Sequence, residues 1–198
     1  MDKHPFNPDD FFKKACSFEA GLILVAMILG WIANIDPFET LHFSESAIAY
    51  GIAGTMPLFL LYLTLEQLQT ESVVKIKNML FETLGSGLHR YHWTDLLILA
   101  SIAGLSEELL FRGVIQPWIE SSWGMTAGLL GSNIIFGLAH AVTPLYAVLA
   151  TLVGIYLSLS LDYGGDRNLL IPIVIHGLYD FLAFIALMRA YRASRLNG

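Results

Sequence analysis

Charge is what this sequence has least of. Asp, Glu, Lys and Arg make up 14% of its 198 residues, against about 25% in a soluble globular domain. A single cysteine, Cys16, excludes an internal disulfide and any multi-cysteine metal site. It reads as a small residue near a membrane boundary, with palmitoylation as the alternative. There is no basic arm, and a net charge of −6 argues against a nucleic-acid partner. No A-x-A cleavage site follows the first apolar run, which starts at Phe18 behind the polar MDKHPFNPDD segment, so that run reads as a retained span. No H-E-x-x-H signature occurs. An internal repeat is also missing, which counts against a carrier built from duplicated halves.

What is abundant is apolar surface. The hydrophobic share is 55% and the mean hydropathy +0.60. A span needs about 20 mainly apolar residues, and six runs qualify: 18–35, 46–65, 95–115, 124–142, 145–161 and 169–188. Strand-like alternation is absent, and backbone groups in lipid must be satisfied within their own segment. The expected fold class is therefore all-α, a polytopic transmembrane helix bundle of about six spans. The expected organisation is two N-terminal spans plus a cytoplasmic amphipathic connection over 1–93, a second bundle over 94–188, and a basic cytoplasmic tail over 189–198.

Lys and Arg placement sets the expected topology. Lys3, Lys13 and Lys14 precede the first span, while Asp36, Glu39 and Glu45 occupy the 36–45 loop without a Lys or Arg. Lys75, Lys77 and Arg90 return the 66–93 segment to the cytoplasm, and Arg189, Arg192 and Arg195 keep the carboxyl end there. Both termini are expected inside, in an integral membrane protein of a bacterial plasma membrane; Arg167, in an outer loop, dissents mildly. Val73, Val74, Ile76, Lys77, Leu80 and Phe81 recur at helical spacing, so the connection reads as an amphipathic helix ended by Gly85-Ser86-Gly87. It lies either on the interface or against the protein's own surface. His89, His92 and Trp93 form an anchoring girdle. Gly124, Gly128, Gly131, Gly137, Gly154 and Gly177 are expected to let helices pack closely, with Gly124 and Gly128 as a small-xxx-small pair.

Against this apolar background, three polar constellations stand out. A mid-bilayer charge costs about 2.5–3.5 kcal/mol on insertion scales, so each needs a reason. Glu108 and Arg112 are four apart with the acid on the N-terminal side, the favoured orientation for an ion pair. Glu107 sits about 100° round the helix, is less neutralised, and is freer to act as a base on water. His140 falls near the end of the fourth run. His176 and Asp180 are again four apart, so Asp180 can orient His176, or both can face one metal or water. Each alone suits a structural polar cluster; together they point to one buried reaction centre.

Glu107-Glu108-x-x-x-Arg112, Phe136-x-x-x-His140 and His176-x-x-x-Asp180, in that order, resemble the motif set of the CAAX prenyl protease and bacteriocin-processing (CPBP, or Abi) family of intramembrane endopeptidases. The flanking GLSEELLFRGVIQ and IPIVIHGLYD agree, and the resemblance covers about residues 94–184. It implies hydrolysis of a peptide bond in a membrane-associated peptide or lipopeptide. Glu107 would be the general base, His140 would hold the water, and His176 with position 180 would line the site and stabilise the oxyanion or bind the hydrolytic centre. Glu108 and Arg112 would support its geometry. Position 180 is Asn or Asp in the family; an ionised Asp180 would repel an oxyanion. It is therefore expected to orient His176, stay protonated or ligate a metal. Glu107, His140 and His176 would suit a divalent metal such as zinc with water in the fourth position; the alternative is a metal-free glutamate peptidase with no cofactor. Expected partners are the lipid bilayer and the substrate. Two other functions remain open from sequence: a non-catalytic membrane partner of the immunity or scaffolding type, and a proton-coupled transporter.

Overall fold

The structure, a computed structural model, describes residues 8–196; Lys3 of the topology argument lies outside them. Among the described residues there is no strand, and nine α-helices account for almost all of the chain: α1 Pro8–Ala33, α2 Glu45–Gln67, α3 Glu71–Leu80, α4 Ser86–Leu88, α5 Trp93–Leu110, α6 Gln116–Trp123, α7 Met125–Ala139, α8 Pro144–Ser160 and α9 Leu170–Leu196. The π-helical turn Phe81–Gly85 joins α3 to α4, and a second, Phe111–Ile115, joins α5 to α6. The protein is a helical membrane bundle. Its exposed surface carries the residues a lipid-facing surface needs, among them Leu24, Trp31, Phe43, Ile52, Leu60, Leu138 and Leu152.

The six apolar runs all become helix, yet they differ in reach. Among the described residues, three helices are long and apolar enough to cross a membrane: Asp10–Ala33, Glu45–Gln67 and Leu170–Arg195. α7 and α8 are shorter, at 15 and 17 residues. α5 carries Asp95, Glu107 and Glu108 and gains length only by running through its π turn into α6.

Local signals fix several ends. Ser44 caps α2 by accepting from the Ala47 N–H at 3.1 Å, and Thr143 caps α8 by accepting from the Tyr146 N–H at 3.1 Å. The Asp95 carboxylate accepts the His92 N–H at 2.9 Å at the start of α5. Two expectations are corrected. Gly85-Ser86-Gly87 does not stop the amphipathic helix; the run passes through the π turn to Leu88, and the two glycines abut the rings of Tyr191 and Phe11. Gly124 is not a packing glycine: at φ +86 it breaks the chain between α6 and α7 with nothing near its missing side chain, while Gly128 packs back on Gln116 and Glu120.

α5 is the axis, flanked by α1 and α9, with α2 outside α9 and α7 bridging α6 and α8. The α5–α9 crossing is backbone on backbone. A Cβ on Gly104 would stand 2.6 Å from the Gly177 nitrogen, so glycine is required for the approach. Below it, Leu88, Leu96, Leu99, Leu187 and Met188 form a buried cluster roofed by Phe11, Phe12 and Phe81. Thus α3 and α4 lie against the bundle's own residues, tied to α2 by Lys77 Nζ and Glu66 Oε2 at 3.2 Å.

The two ends of the bundle differ in charge. At one, Arg192 donates to the carbonyls of His89 and Tyr91, and Phe12 stacks on Tyr91, gathering the start of α1, the 89–92 turn and the end of α9. At the other, Asn168 Nδ2 donates to the His42 carbonyl and the Leu169 N–H to the Thr40 carbonyl. Arg167 is neutralised there by Glu120 at 2.8 Å, whose hydrogen bond raises the guanidinium pKa further.

Candidate active site

The sequence's three constellations come from α5, the turn after α7, and α9, and the fold brings all of them together. Glu108 and Arg112 form the floor. Their side chains are 0% exposed and meet at 2.9 Å between Arg112 Nη1 and Glu108 Oε1. The remaining guanidinium nitrogens are also used: Nη2 donates to Asn133 Oδ1 at 2.9 Å and to the Gly154 carbonyl at 2.8 Å, and Nε to Ser158 Oγ at 3.3 Å. The guanidinium carbon sits 4.7 Å from the Phe136 ring centroid. Asn133 is held in turn by the Leu129 carbonyl and Ser158. A buried charge is tolerable only when paired and hydrogen-bonded, and this one is.

Above the floor, the two histidines are oriented by different partners. His140 caps α7, and its Nδ1 lies 2.8 Å from the Phe136 carbonyl. A carbonyl only accepts, so Nδ1 carries the hydrogen and Nε2 faces the site. His176 Nδ1 lies 2.7 Å from Glu108 Oε1, the oxygen that also receives Arg112. Its Nε2 likewise turns to the site. Sequence spacing expected Asp180 as a candidate to orient this ring; Glu108 makes that contact, and Asp180 Oδ2 stands 3.7 Å from Nε2 instead.

Glu107 completes the centre. Only 8% exposed, it presents an Oε2 atom with no hydrogen-bond partner. That atom is 3.5 Å from His140 Nε2 and 3.9 Å from His176 Nε2. Both separations exceed a hydrogen bond, leaving room for a bridging group among a carboxylate oxygen and two imidazole nitrogens. Among the described residues, no group of three or more His, Cys, Asp or Glu side chains is gathered to hold a metal ion. The reaction proposed below is built on Glu107, His140 and His176, with no step routed through a metal.

The centre opens into a cavity of about 400 Å³, lined by Glu107, His140, His176 and Asp180 at one part and by apolar residues such as Leu58, Leu61 and Leu149 elsewhere, reaching under α3 at Ile76 and Lys77. Sequence reasoning missed several of its members. Tyr62, Tyr146 and Tyr179 line it, as does Glu19 of α1, whose Oε2 accepts from Ser106 Oγ at 3.2 Å. Glu19 was visible as an acid in an otherwise apolar run, the signal used for α5. Asn133 and Ser158 were visible only as neutral polar residues in apolar helices.

An acid–histidine centre buried in a bundle of apolar helices, fed by a largely apolar cavity, defines an integral membrane protein with an internal polar site. Residues 89–182 match the family described as type II CAAX prenyl endopeptidase Rce1-like. The matched segment contains every site residue anticipated from sequence, and the likeness to that family supports a CAAX-type protease acting within the membrane. No curated protein and no solved structure matches the chain.

Proposed function

We propose that this protein is an intramembrane endopeptidase that hydrolyses a peptide bond in a membrane-associated peptide or lipopeptide, by a metal-free mechanism with Glu107 as general base. The observation that carries this reading is Glu107 Oε2: buried, without a hydrogen-bond partner, and facing the Nε2 atoms of His140 and His176 across a gap wider than a hydrogen bond. A water in that gap gives its proton to Glu107 as its oxygen attacks the scissile carbonyl. His140 fixes the water through Nε2. With Nδ1 committed to Glu108, His176 meets the reaction space only through Nε2, where as imidazolium it donates to the oxyanion. Glu107 then returns the proton to the leaving amine. Asp180, at 3.7 Å from His176 Nε2, stabilises the imidazolium from the reaction-space side; Glu108 and Arg112 hold the geometry.

The catalytic unit in this reading is 94–188, with the first two spans and the amphipathic connection of 1–93 supplying one wall of the cavity and 189–198 a basic end. Both termini face the cytoplasm of a bacterial plasma membrane. The gathering of Lys13, Lys14, Arg90 and Arg192 near one end, opposite the 36–45 and 161–169 loops, supports that orientation.

The test is proteolysis of a peptide and lipopeptide library by the detergent-purified protein, beside Glu107→Gln, read by mass spectrometry with and without a strong chelator. Cleavage that vanishes in the variant and survives the chelator is expected. Equal cleavage by both proteins would overturn the base, and loss of cleavage on chelation would overturn the metal-free mechanism.

A further inference from the structure

Glu19 is the one carboxylate on α1 that the proposed mechanism leaves idle inside a span. It lies on a helix outside the family-matched segment yet lines the same cavity as Glu107, His176 and Asp180. Its only partner is the Ser106 hydroxyl, at 3.2 Å, and that hydroxyl is also directed to the Ala103 carbonyl at 3.2 Å. One proton shared between two acceptors holds Glu19 weakly. Among the described residues, no hydrogen bond or ion pair reaches the other carboxylate oxygen, Oε1.

The charge balance of the cavity leaves it asking for a cation. Four carboxylates line it: Glu19, Glu66, Glu107 and Asp180. The one Lys or Arg on the wall is Lys77, whose ammonium is committed to Glu66. Arg112 is sealed beneath, every guanidinium nitrogen occupied. Ser106 precedes Glu107 directly, so the carboxylate it contacts stands beside the base. Beyond these groups and the two histidines the wall is mainly apolar; a His176 imidazolium balances one of the three carboxylates not paired with Lys77, and Glu19 is left to take an ammonium.

We infer that Glu19 forms a cation-accepting subsite next to the cleavage centre, which selects substrates carrying a lysine-type ammonium close to the scissile bond. The inference rests on the peptidase reading for its use but not for its test, because binding is measured without turnover. Glu19 is here a specificity-determining residue: it pairs with the substrate's charge while the apolar wall takes the neighbouring side chains or acyl chain. A pair formed in a water-poor cavity is stronger than one at a surface.

The experiment uses the full chain in detergent, in a Glu107→Gln background so that no probe is consumed. Binding of N-palmitoyl-lysinamide is compared with that of N-palmitoyl-norleucinamide, which has nearly the same length and no charge. The affinity ratio is measured again after adding Glu19→Gln, and after adding Glu19→Lys. The expected ratio is about tenfold or more in favour of the lysine probe, falling to about one with Gln and inverting with Lys. Both changes at position 19 remove a half-buried carboxylate, and Gln keeps its shape, so folding is preserved for the Gln variant. Equal affinity for the two probes, or a preference that persists with Glu19→Gln, overturns the subsite. A preference that depends on Glu19 in a protein that cleaves no library member with Glu107 intact would uphold the subsite and sink the peptidase reading; the two failures are thus separable.

Discussion

His176 Nδ1 lies 2.7 Å from Glu108 Oε1, across two helices and 68 residues of sequence. The carboxylate that neutralises the buried Arg112 therefore also aims an imidazole at the reaction space, and structural and chemical roles meet in one oxygen atom.

Removing that oxygen separates the roles. Glu108→Ala strands the Arg112 guanidinium, whose side chain is 0% exposed, and is expected to cost about 3–5 kcal/mol. A thermal-unfolding scan in detergent should show a large fall in midpoint. Glu108→Gln retains an acceptor for His176 or Arg112 but not the charge. It should lose less stability and still lower kcat, while KM stays nearly constant.

Glu107→Gln should behave in the opposite way. Loss of a general base lowers turnover by roughly 10²–10⁴-fold. Its Oε2 makes no hydrogen bond in the folded protein, so the thermal midpoint is expected to hold or rise. A variant that unfolds as readily as Glu108→Ala would show that Glu107 is structural.

The α5–α9 crossing gives a prediction with an internal control. Gly104→Ala drives a methyl to 2.6 Å from the Gly177 nitrogen, where backbone cannot yield; a loss of about 1–3 kcal/mol is expected from overpacking. Gly177→Ala meets nothing closer than the Ala100 carbonyl at 3.3 Å and gains helix propensity of about 0.5–1 kcal/mol. Thermal midpoints of the two variants should differ clearly, with Gly104→Ala the lower; equal values would mean the helices are not in contact there.

Orientation is testable by labelling whole cells. Asp166 and Asn78 are both exposed and sit in the 161–169 loop and the 66–93 connection, proposed above to face outward and inward, respectively. In a Cys16→Ser background, a membrane-impermeant thiol reagent should modify Asp166→Cys and spare Asn78→Cys until the cells are opened. The reverse pattern would invert the topology.

Much of this centre was legible in the sequence because its charges are expensive where they stand. The Glu108–Arg112 pair follows from a four-residue spacing on one helix, and the convergence of α5, α7 and α9 from three costly motifs in one small bundle. What the sequence hid is set by distances between helices. The spacing of His176 and Asp180 pointed to a contact within α9, but Gly104, set against the Gly177 nitrogen, lets α5 approach so closely that Glu108 reaches His176 Nδ1 first. Glu19 was concealed differently: a lone acid in a first span has no partner in its own helix, and its meaning appears only when α1 packs beside α5. Hydropathy drew 124–142 longer than α7, because Gly124 and the residues after Ala139 lie in an equally apolar stretch, whereas 145–161 already had the length of α8.

The shortness of α7 and α8 reaches into the lipid. At 15 and 17 residues they rise about 22 and 26 Å, below the roughly 30 Å of a typical hydrocarbon core. Acyl chains meeting that side of the bundle must compress or splay, whereas those around α1, α2 and α9 need not. The molecule thus creates an asymmetric dimple in its own solvent. His140 caps the end of α7, so the thinned patch borders the reaction centre and shortens the path by which water and a polar peptide backbone reach it. Turnover in vesicles should then depend on acyl-chain length, a property of the surrounding bilayer and not of any side chain.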